Sequence, residues 1–228
     1  MKQEDIVETE ALQAAFNNYA AECKAAMRIA LTAIQNLEDA LDRNGIHNPI
    51  DNIESRIKTF DSVWSKCLER GYEQSIKDIK AKVKDIAGIR IITEYIDEIQ
   101  IVTDMLCNTQ GLNIVEIKDY VETPKPNGYS GVHLICQVQV PTLSGGSQLV
   151  PVEIQIRTWA MDLWAKYEHK FKYKNSDPLP NIDKEFSDAS VFVKGFDQKM
   201  VELRNSSAAA KNAEIKSGSK IVPEVEEI

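Results

Sequence analysis

The chain has 228 residues, of which 43% are hydrophobic and 27% are charged, and its formal net charge at pH 7 is −8. This composition is typical of one globular domain with helical extensions and excludes an intrinsically disordered chain. No run of about 18 uncharged apolar residues occurs, which excludes a membrane-spanning helix. The acidic N-terminal segment MKQEDIVETE lacks the features of a secretory signal.

Positive charge is concentrated in two segments of this acidic chain. Residues 56–90 and 151–174 carry more Lys and Arg than Asp and Glu, whereas the rest of the chain is acidic. Binding to duplex DNA needs a broad positive surface, so this pattern argues against it. Two basic islands suit a small polyanion held in one pocket, although solvated helix faces would give the same pattern.

The four cysteines are scattered and form no C-x-x-C pair: Cys23, Cys67, Cys107 and Cys136. Such spacing is typical of buried or free thiols in a reducing compartment, rather than of a disulfide framework or a zinc site. The sequence therefore predicts a cytoplasmic protein.

A long amphipathic helix is predicted at the start of the chain. Apolar residues recur at spacings of three and four from Leu12 to Leu41, and Asn44-Gly45 supplies a left-handed cap. The helix lies across a core, against another subunit, or both, because one small sheet could hardly cover its whole apolar stripe.

Short strands and helices alternate in the central domain, residues 46–175. The predicted strands are 50–58, 86–93, 113–121, 132–140 and 149–157, and the predicted helices are 60–70, 96–108 and 159–173. The last two strands form a hairpin around the flexible tip 144–147. This order predicts an α+β fold, a mixed sheet of about five strands flanked by helices.

The C-terminal part of the chain is predicted to hold one more amphipathic helix, from Ile182 to Leu203. We accordingly expect four parts: an N-terminal helix (1–45), the central domain (46–175), a C-terminal helix (176–205) and a flexible tail (206–228). The tail is expected because its composition is rich in Ser, Ala, Lys and Glu.

The first candidate phosphate site is the pattern Arg56-x-Lys58-x-x-x-Ser62-x-x-x-Lys66. Arg56 and Lys58 share one side of a strand end, and Ser62 and Lys66 lie one turn apart on the following helix. Cations, a hydroxyl and a helix N-terminus together can hold a triphosphate, although surface charges give the same pattern.

The second candidate is Asp85-Ile-Ala-Gly-Ile-Arg90, at the start of a strand. Asp85 is a candidate ligand of Mg²⁺, and the planar guanidinium of Arg90 suits stacking on a nucleobase. A simpler interpretation is that Asp85 caps a turn.

The third candidate is the loop Lys125-Pro-Asn127-Gly-Tyr129-Ser-Gly-Val-His133. Asn-Gly forms a tight turn, and Tyr129 follows it just before a strand. An aromatic ring beside a lysine and a histidine suits a second base with its phosphates, although a core tyrosine and a structural histidine fit equally well.

The fourth candidate is the strand Val152-Glu-Ile-Gln-Ile-Arg157. Its period of two places Glu153, Gln155 and Arg157 on one face and the apolar residues on the other. Three polar groups on one face of a central strand are costly to bury unless they bind something, so this pattern favours a function.

The order of these four blocks, followed by Arg157-Thr-Trp-Ala-Met-Asp162-x-Trp-Ala-x-x-Glu168-His169, resembles the synthetase domain of the RelA/SpoT homologues, and the small alarmone synthetases in particular. The resemblance covers about residues 50–175. It implies a nucleotidyltransferase-like fold and Mg²⁺-dependent transfer of pyrophosphate from ATP to the 3′-hydroxyl of GTP or GDP. The products would be AMP and the stringent-response alarmones pppGpp or ppGpp.

Matched position by position, the resemblance implies a donor site and an acceptor site. At the donor site, Arg56 and Arg90 would enclose adenine, and the ATP phosphates would contact Lys58, Ser62 and Lys66. The metal ligands would be Asp85 and Glu153, with Glu153 also the catalytic base. At the acceptor site, Tyr129 would stack on guanine and Asp162 would bind its edge, beside Lys125, Asn127, His133 and Gln155.

Two departures from relatives bear on specificity. The loop carries Ser130-Gly131 where many relatives have Arg-Ser, so it lacks one cation and leaves the choice between GTP and GDP open. The hydrolase domain of the long relatives needs a His-Asp pair, and none of the three histidines is followed by Asp. We expect synthesis of the alarmone without its hydrolysis.

Two alternatives to this function remain. The acceptor could be ATP, ADP or the 3′ end of a tRNA, or the chain could be a catalytically inactive regulator that binds nucleotide or RNA. Tyr129 and Asp162 favour a guanine acceptor, and the pair Asp85 and Glu153 argues against an inactive site. The resemblance also implies a homotetramer, with an allosteric nucleotide or single-stranded RNA as a candidate regulator and no membrane or duplex DNA partner.

Overall fold

Within the part of the chain that the structure describes, a five-stranded mixed sheet lies among six helices. The computed structural model describes residues 3–174 and 180–218, with side chains at 10–172 and 180–212. The helices are α1 (Gln3–Arg43), α2 (Phe60–Arg70), α3 (Ile76–Lys82), α4 (Glu98–Cys107), α5 (Trp159–Lys174) and α6 (Ile182–Gly218). The strands are β1 (Asn52–Ile57), β2 (Ala87–Thr93), β3 (Asn113–Asp119), β4 (Val132–Pro141) and β5 (Ser147–Thr158).

The strand order across the sheet is β1-β2-β5-β4-β3. β2 and β5 are parallel, and the other neighbours are antiparallel. A parallel pair needs a long crossover, which α4, β3 and β4 provide here. The predicted mixed sheet of about five strands and the predicted β4–β5 hairpin are confirmed.

One face of the sheet is apolar and packs against α1. Alternate residues of the central strands, such as Ile89, Leu134 and Ile154, are fully buried there because successive side chains of a strand point to opposite faces. The apolar stripe of α1 joins the same core through Phe16, Tyr19, Cys23, Ala26, Ala30 and Ile34. Leu12, Leu37 and Leu41, at the two ends of the predicted stripe, are only partly buried. The sheet therefore covers most of the stripe but not all of it.

The ends of the short helices follow from local capping. The hydroxyl of Thr59 accepts a hydrogen bond from the backbone of Ser62, and Gly71 ends α2 at a φ of 64°, so α2 spans the predicted residues. The short helix α3 was not predicted, because its seven residues are too few for a clear period. Its signal was the cap at Ser75, whose hydroxyl accepts from the backbone of Asp78.

The last helix is longer than the sequence predicts. α6 continues to Gly218, so residues 206–218 are helical where a flexible tail was expected. Alanine and lysine favour a helix, which composition alone did not distinguish from a disordered tail. Residues 219–228 of the predicted tail lie outside the described residues.

None of the helices in the described ranges has the length and apolar character that crossing a membrane requires. The four cysteines are free, and three of them are buried while Cys107 is exposed.

Candidate active site

The face of the sheet opposite α1 carries a stripe of polar residues across β1, β2 and β5. The strand register places Gly88 between Arg56 and Glu153. The next polar row joins Arg90 to its cross-strand partners Glu54 and Gln155. A cavity of about 200 Å³ lies over these rows, and its lining includes Arg56, Asp85, Arg90, Glu153 and Gln155. The first, second and fourth candidate motifs thus meet in one cavity.

Asp85 lies just before β2, between two lysines. Its Oδ2 accepts hydrogen bonds from Lys58 Nζ at 2.6 Å and from Lys66 Nζ at 2.8 Å. Burial raises the pKa of Asp85, but the two lysines outweigh it and hold the pKa below its usual range. Asp85 is therefore an ionised carboxylate at neutral pH.

The other oxygen of Asp85 suits a divalent cation. Oδ1 is buried and makes no hydrogen bond, although buried oxygens usually have a partner. Asp85 and Glu153 line the same cavity, while no cluster of three or more metal-ligating side chains occurs among the described residues. Two carboxylates without a full protein cage fit Mg²⁺, which commonly takes its remaining ligands from substrate phosphates and water.

Glu153 is held by hydrogen bonds at both carboxylate oxygens. Oε1 lies 3.1 Å from His133 Nδ1, and Oε2 accepts from Gln155 Nε2 at 2.7 Å. Burial and the charge of Asp85 raise the pKa of Glu153. The opposite effect of His133 and Gln155 is larger, so the pKa lies below its usual range. The carboxylate is fixed, ionised and at the edge of the cavity.

Tyr129, in the loop 120–131, is buried rather than open at the loop edge. Only 8% of its surface is exposed. Its hydroxyl contacts His133 Nε2 and accepts hydrogen bonds from Arg157 Nε at 3.1 Å and Nη2 at 2.7 Å. Lys125 Nζ lies 4.5 Å from the centre of the Tyr129 ring. A base that stacks on this face of Tyr129 would displace the lysine.

Asn127 organises the turn of the same loop. Its Oδ1 accepts from the backbone of Tyr129 at 3.2 Å, and its Nδ2 donates to Glu168 of α5 at 3.0 Å. Gly128 completes the turn at a φ of 89°, a backbone conformation that favours glycine. Asn127 thus has a structural role in the loop that holds Tyr129.

Asp162 of α5 is buried among three cations. Its Oδ1 lies 3.2 Å from Arg90 Nε and 3.3 Å from Arg157 Nη1, and its Oδ2 lies 2.8 Å from Lys166 Nζ. Contact with a guanine edge would require one of these cations to leave. The predicted role of Asp162 in base recognition stays a prediction.

Arg157 and Glu54 belong to the site but were not among the predicted site residues. Arg157 is only 5% exposed and joins Tyr129, Gln155 and Asp162. Gly131 makes room for it, because a Cβ there would lie 3.1 Å from Arg157 Cγ. The period of two along β5 already placed Arg157 beside Glu153 and Gln155, so that signal was available. Glu54, which accepts from Arg90 at 2.9 Å, had no signal outside the β1–β2 register.

Arg56 lines the cavity, whereas Ser62 is not among the residues that line it. Both are exposed, Ser62 in the first turn of α2 and Arg56 on β1. The Ser62 hydroxyl lies 2.9 Å from that of Thr59. The structure thus brings Arg56 and Arg90 to the cavity and joins Lys58 and Lys66 to it through Asp85, but it shows no such contact for Ser62 within the described part of the chain. The predicted acceptor residues lie mainly around Tyr129.

The comparison with family models identifies most of the central domain. A family described as a region found in RelA / SpoT proteins matches residues 55–178. The chain is also 42% identical, over 159 residues, to the GTP pyrophosphokinase YwaC of Bacillus subtilis (strain 168), and the match covers 69% of this chain and 75% of that relative.

Two solved structures of the small alarmone synthetase 1 from Bacillus subtilis are similar to this fold. The structure bound to its product pppGpp matches with a TM-score of 0.78 and 30% identity, over 85% of this chain and 98% of the other. The structure bound to AMPCPP matches with a TM-score of 0.69 and 27% identity, over 85% of this chain and 99% of the other.

Proposed function

The chain belongs to the RelA/SpoT family, and on that premise we propose that it is a small alarmone synthetase, a GTP diphosphokinase. It transfers the β,γ-pyrophosphoryl group of ATP to the 3′-hydroxyl of GTP or GDP and forms pppGpp or ppGpp and AMP. The observation that carries this proposal is the single cavity where two ionised carboxylates, Asp85 and Glu153, meet the cations of the donor motifs. Residues 46–175 form the synthetase domain.

The donor side of the cavity binds ATP through cations. Arg56 and Arg90 enclose adenine from β1 and β2, while Lys58, Lys66 and Ser62 contact the phosphates at the N-terminal end of α2. Transfer of a pyrophosphoryl group depends on in-line positioning and on neutralised phosphate charge. Mg²⁺, held by Asp85 and Glu153, supplies part of that charge neutralisation when it is bound.

Glu153 removes the proton from the attacking 3′-hydroxyl. Its lowered pKa keeps it ionised at neutral pH, and the hydrogen bonds from His133 and Gln155 fix its direction. In a neutral imidazole, Nδ1 donates to Glu153 and Nε2 accepts from Tyr129, so one ring links the acceptor loop to the base. The oxygen of the 3′-hydroxyl then forms a bond to the β-phosphorus of ATP, and AMP leaves.

The acceptor nucleotide binds on the Tyr129 side of His133. Guanine stacks on Tyr129 after Lys125 leaves the ring face, and the freed ammonium then contacts the acceptor phosphates. Burial lowers the pKa of Lys125, and contact with phosphate opposes that shift because an anion favours the charged amine. Asn127, Gln155 and Asp162 support this side of the site.

We further propose that the chain works in the cytoplasm as a homotetramer, with an allosteric nucleotide or single-stranded RNA as regulator. The apolar residues that remain exposed on α5 and α6 support an assembly through these helices, since monomers rarely expose a continuous apolar row.

The test is product analysis with γ-labelled ATP. We expect label in pppGpp with GTP or in ppGpp with GDP, unlabelled AMP, and no transfer to ADP or to the 3′ end of tRNA. Label that appears only as inorganic phosphate, or in a product of another acceptor, would reject the proposal. Omission of Mg²⁺ with a chelator should stop the transfer.

A further inference from the structure

One carboxylate oxygen is shared by two arginines that belong to different nucleotide sites. Asp162 Oδ1 lies 3.2 Å from Arg90 Nε and 3.3 Å from Arg157 Nη1. Arg90 lines the donor cavity, and Arg157 holds the hydroxyl of Tyr129 on the acceptor side. Asp162 is thus the shared contact between the groups that would bind the two bases.

The shared contact is shielded from water. Only 1% of Asp162 and 5% of Arg157 is exposed. Charge interactions in such an environment are stronger than at the surface, so a shift of one guanidinium changes the energy of the other. The second oxygen, Oδ2, lies 2.8 Å from Lys166 Nζ, which also lies 3.2 Å from Glu54, the other partner of Arg90.

The link to Arg90 is only partly formed in the structure. Arg90 Nη1 donates to Glu54 at 2.9 Å, whereas its Nε is buried and makes no hydrogen bond despite its distance of 3.2 Å from Asp162. A buried donor without a hydrogen bond is costly. Rotation of the guanidinium toward Oδ1 would satisfy Nε, and a base that lies flat against Arg90 favours one orientation of that plane.

The contacts of Arg157 on the acceptor side are well formed, and they lead to the catalytic base Glu153. Arg157 Nη2 donates to Gln155 Oε1 at 2.7 Å, and Gln155 Nε2 donates to Glu153 at 2.7 Å. The same guanidinium holds the hydroxyl of Tyr129. An ordered Arg157 therefore orients both the acceptor-side ring and the carboxylate that activates the acceptor.

We propose that Asp162 is a positioning residue that couples donor and acceptor binding; the proposal rests on the function proposed above. Adenine on Arg90 completes the Arg90–Asp162 contact and so fixes the carboxylate that Arg157 also binds. The contacts of Arg157 with Tyr129 and Gln155 are thereby held in place for the acceptor. The first nucleotide orders the shared groups, so the second binds more tightly, and the effect is reciprocal.

The experiment measures binding of AMPCPP by calorimetry, with and without saturating GDP. In the wild type, GDP should lower the Kd of AMPCPP roughly five-fold or more, within the usual range of coupling between two sites. In Asp162→Asn that ratio should fall to about one, because the amide keeps the shape but loses the charge that both arginines share. Lys166→Met is the matched control, since it removes a partner of Asp162 and of Glu54 but leaves the contacts of Asp162 with both arginines, and it should keep the wild-type ratio.

A second variant guards against misfolding of Asp162→Asn. The double variant Asp162→Asn with Lys166→Met keeps the local net charge, and its ratio should also fall to about one. A wild-type ratio of one overturns the coupling. The proposal is also overturned if Asp162→Asn weakens the binding of both nucleotides but keeps the ratio of AMPCPP Kd values without and with GDP. That is the behaviour of a purely structural residue. Failure of the proposed function is seen separately, as absence of pppGpp or ppGpp from the wild type with labelled ATP.

Discussion

At the scale of single residues, Glu153 combines an ionised state with a fixed direction. Glu153→Gln keeps the size of the side chain but removes its charge, and its amide nitrogen would face one of the two donors, His133 or Gln155. We expect synthesis to fall by at least ~10²–10⁴-fold, the usual contribution of a general base, with little change in ATP binding.

The matched control for this substitution is Glu116→Gln. Glu116 lies on β3 of the same sheet, is exposed and pairs only with Lys118 among the described contacts. It should retain wild-type turnover. Turnover of Glu153→Gln within a few-fold of the wild type would contradict the assignment of Glu153 as the base.

Two substitutions of Tyr129 test the roles of its aromatic ring and its hydroxyl separately. Tyr129→Phe keeps the ring and loses the contacts with Arg157 and His133, so we expect a lower kcat with a nearly unchanged KM for the acceptor. Tyr129→Ala should raise the acceptor KM at least ten-fold and lower the free energy of unfolding by about 3 kcal/mol, because the ring is buried.

Steady-state kinetics and calorimetry with each nucleotide measure these effects. ATP binding should be unaltered in both variants if the ring contacts only the acceptor. Equal weakening of both nucleotides would show that Tyr129 is instead a residue of the core.

Asp197 makes stability depend on pH. Burial raises its pKa from the ordinary value of 3.8 to about 6, and the hydrogen bond from Thr158 opposes this. Because the folded state binds the proton more tightly, the free energy of unfolding falls as pH rises between these two values and is constant above them. Asp197→Asn should therefore be more stable than the wild type at pH 7, by about 3 kcal/mol at most, with no gain below pH 4.

Urea denaturation between pH 4 and pH 8 measures this difference. Asp188→Asn is the control, because Asp188 is exposed on the same helix and its substitution should change stability little. A constant difference between Asp197→Asn and the wild type across the range would contradict a buried titrating carboxyl.

The sequence predicted the site residues that a local period places together. The alternation along β5 put Glu153 beside Gln155, and the i,i+4 spacing put Ser62 near Lys66. The contact of Glu153 with His133 depends instead on the register of β4 against β5. Contacts between residues distant in the chain follow from tertiary packing, which local patterns do not contain.

At the scale of elements, α6 closes over the loop 120–131. A Cβ on Gly128 would lie 2.4 Å from the Ser190 hydroxyl oxygen and 3.1 Å from the Ser187 Cα. Gly128→Ala must therefore move α6 or the loop, and its positive φ adds strain. We expect a loss of about 1–2 kcal/mol in stability and a raised acceptor KM, because the loop carries Tyr129.

Kinetics of the acceptor and thermal unfolding measure this effect, with Gly146→Ala as the control. Gly146 lies in the β4–β5 turn, where a Cβ would meet only Thr142 at 3.6 Å. Ser190→Gly combined with Gly128→Ala should restore part of the acceptor affinity, since it removes the nearest clash. No effect of Gly128→Ala on the acceptor would show that α6 does not position the loop.

The elements themselves differ in how far local signals define them. The strands and α2 had clear periods and caps, and they were predicted within a few residues. The end of α6 was not, because its residues 206–212 are exposed and carry no apolar period. Burial, which fixes most element boundaries, gives no signal on a solvated helix.

At the scale of the whole molecule, α1 stabilises the synthetase domain because it forms part of the hydrophobic core. Its stripe packs on the apolar face of the sheet, where Ala26, Ala30 and Ile34 are fully buried. Removal of residues 1–44 would expose the sheet and unfold the domain, so this truncation cannot report on assembly. The assembly must be tested on surfaces that the chain leaves exposed.

The exposed apolar rows lie on α5 and α6. Leu163, Tyr167 and Phe171 follow the i,i+4 spacing on α5, and Phe192 and Phe196 do so on α6. Burial of these rows between identical chains would stabilise an assembly by about 25 cal/mol per Å² of apolar surface. Phe192→Glu places a charge in that row, and we expect light scattering to show a species smaller than the proposed tetramer of the wild type. Leu143→Glu, at the exposed β4–β5 turn, is the matched control and should leave the assembly intact. Since 80% of Phe192 is exposed, its substitution should leave AMPCPP binding unchanged. A wild type that is monomeric at micromolar concentration would rule out the tetramer.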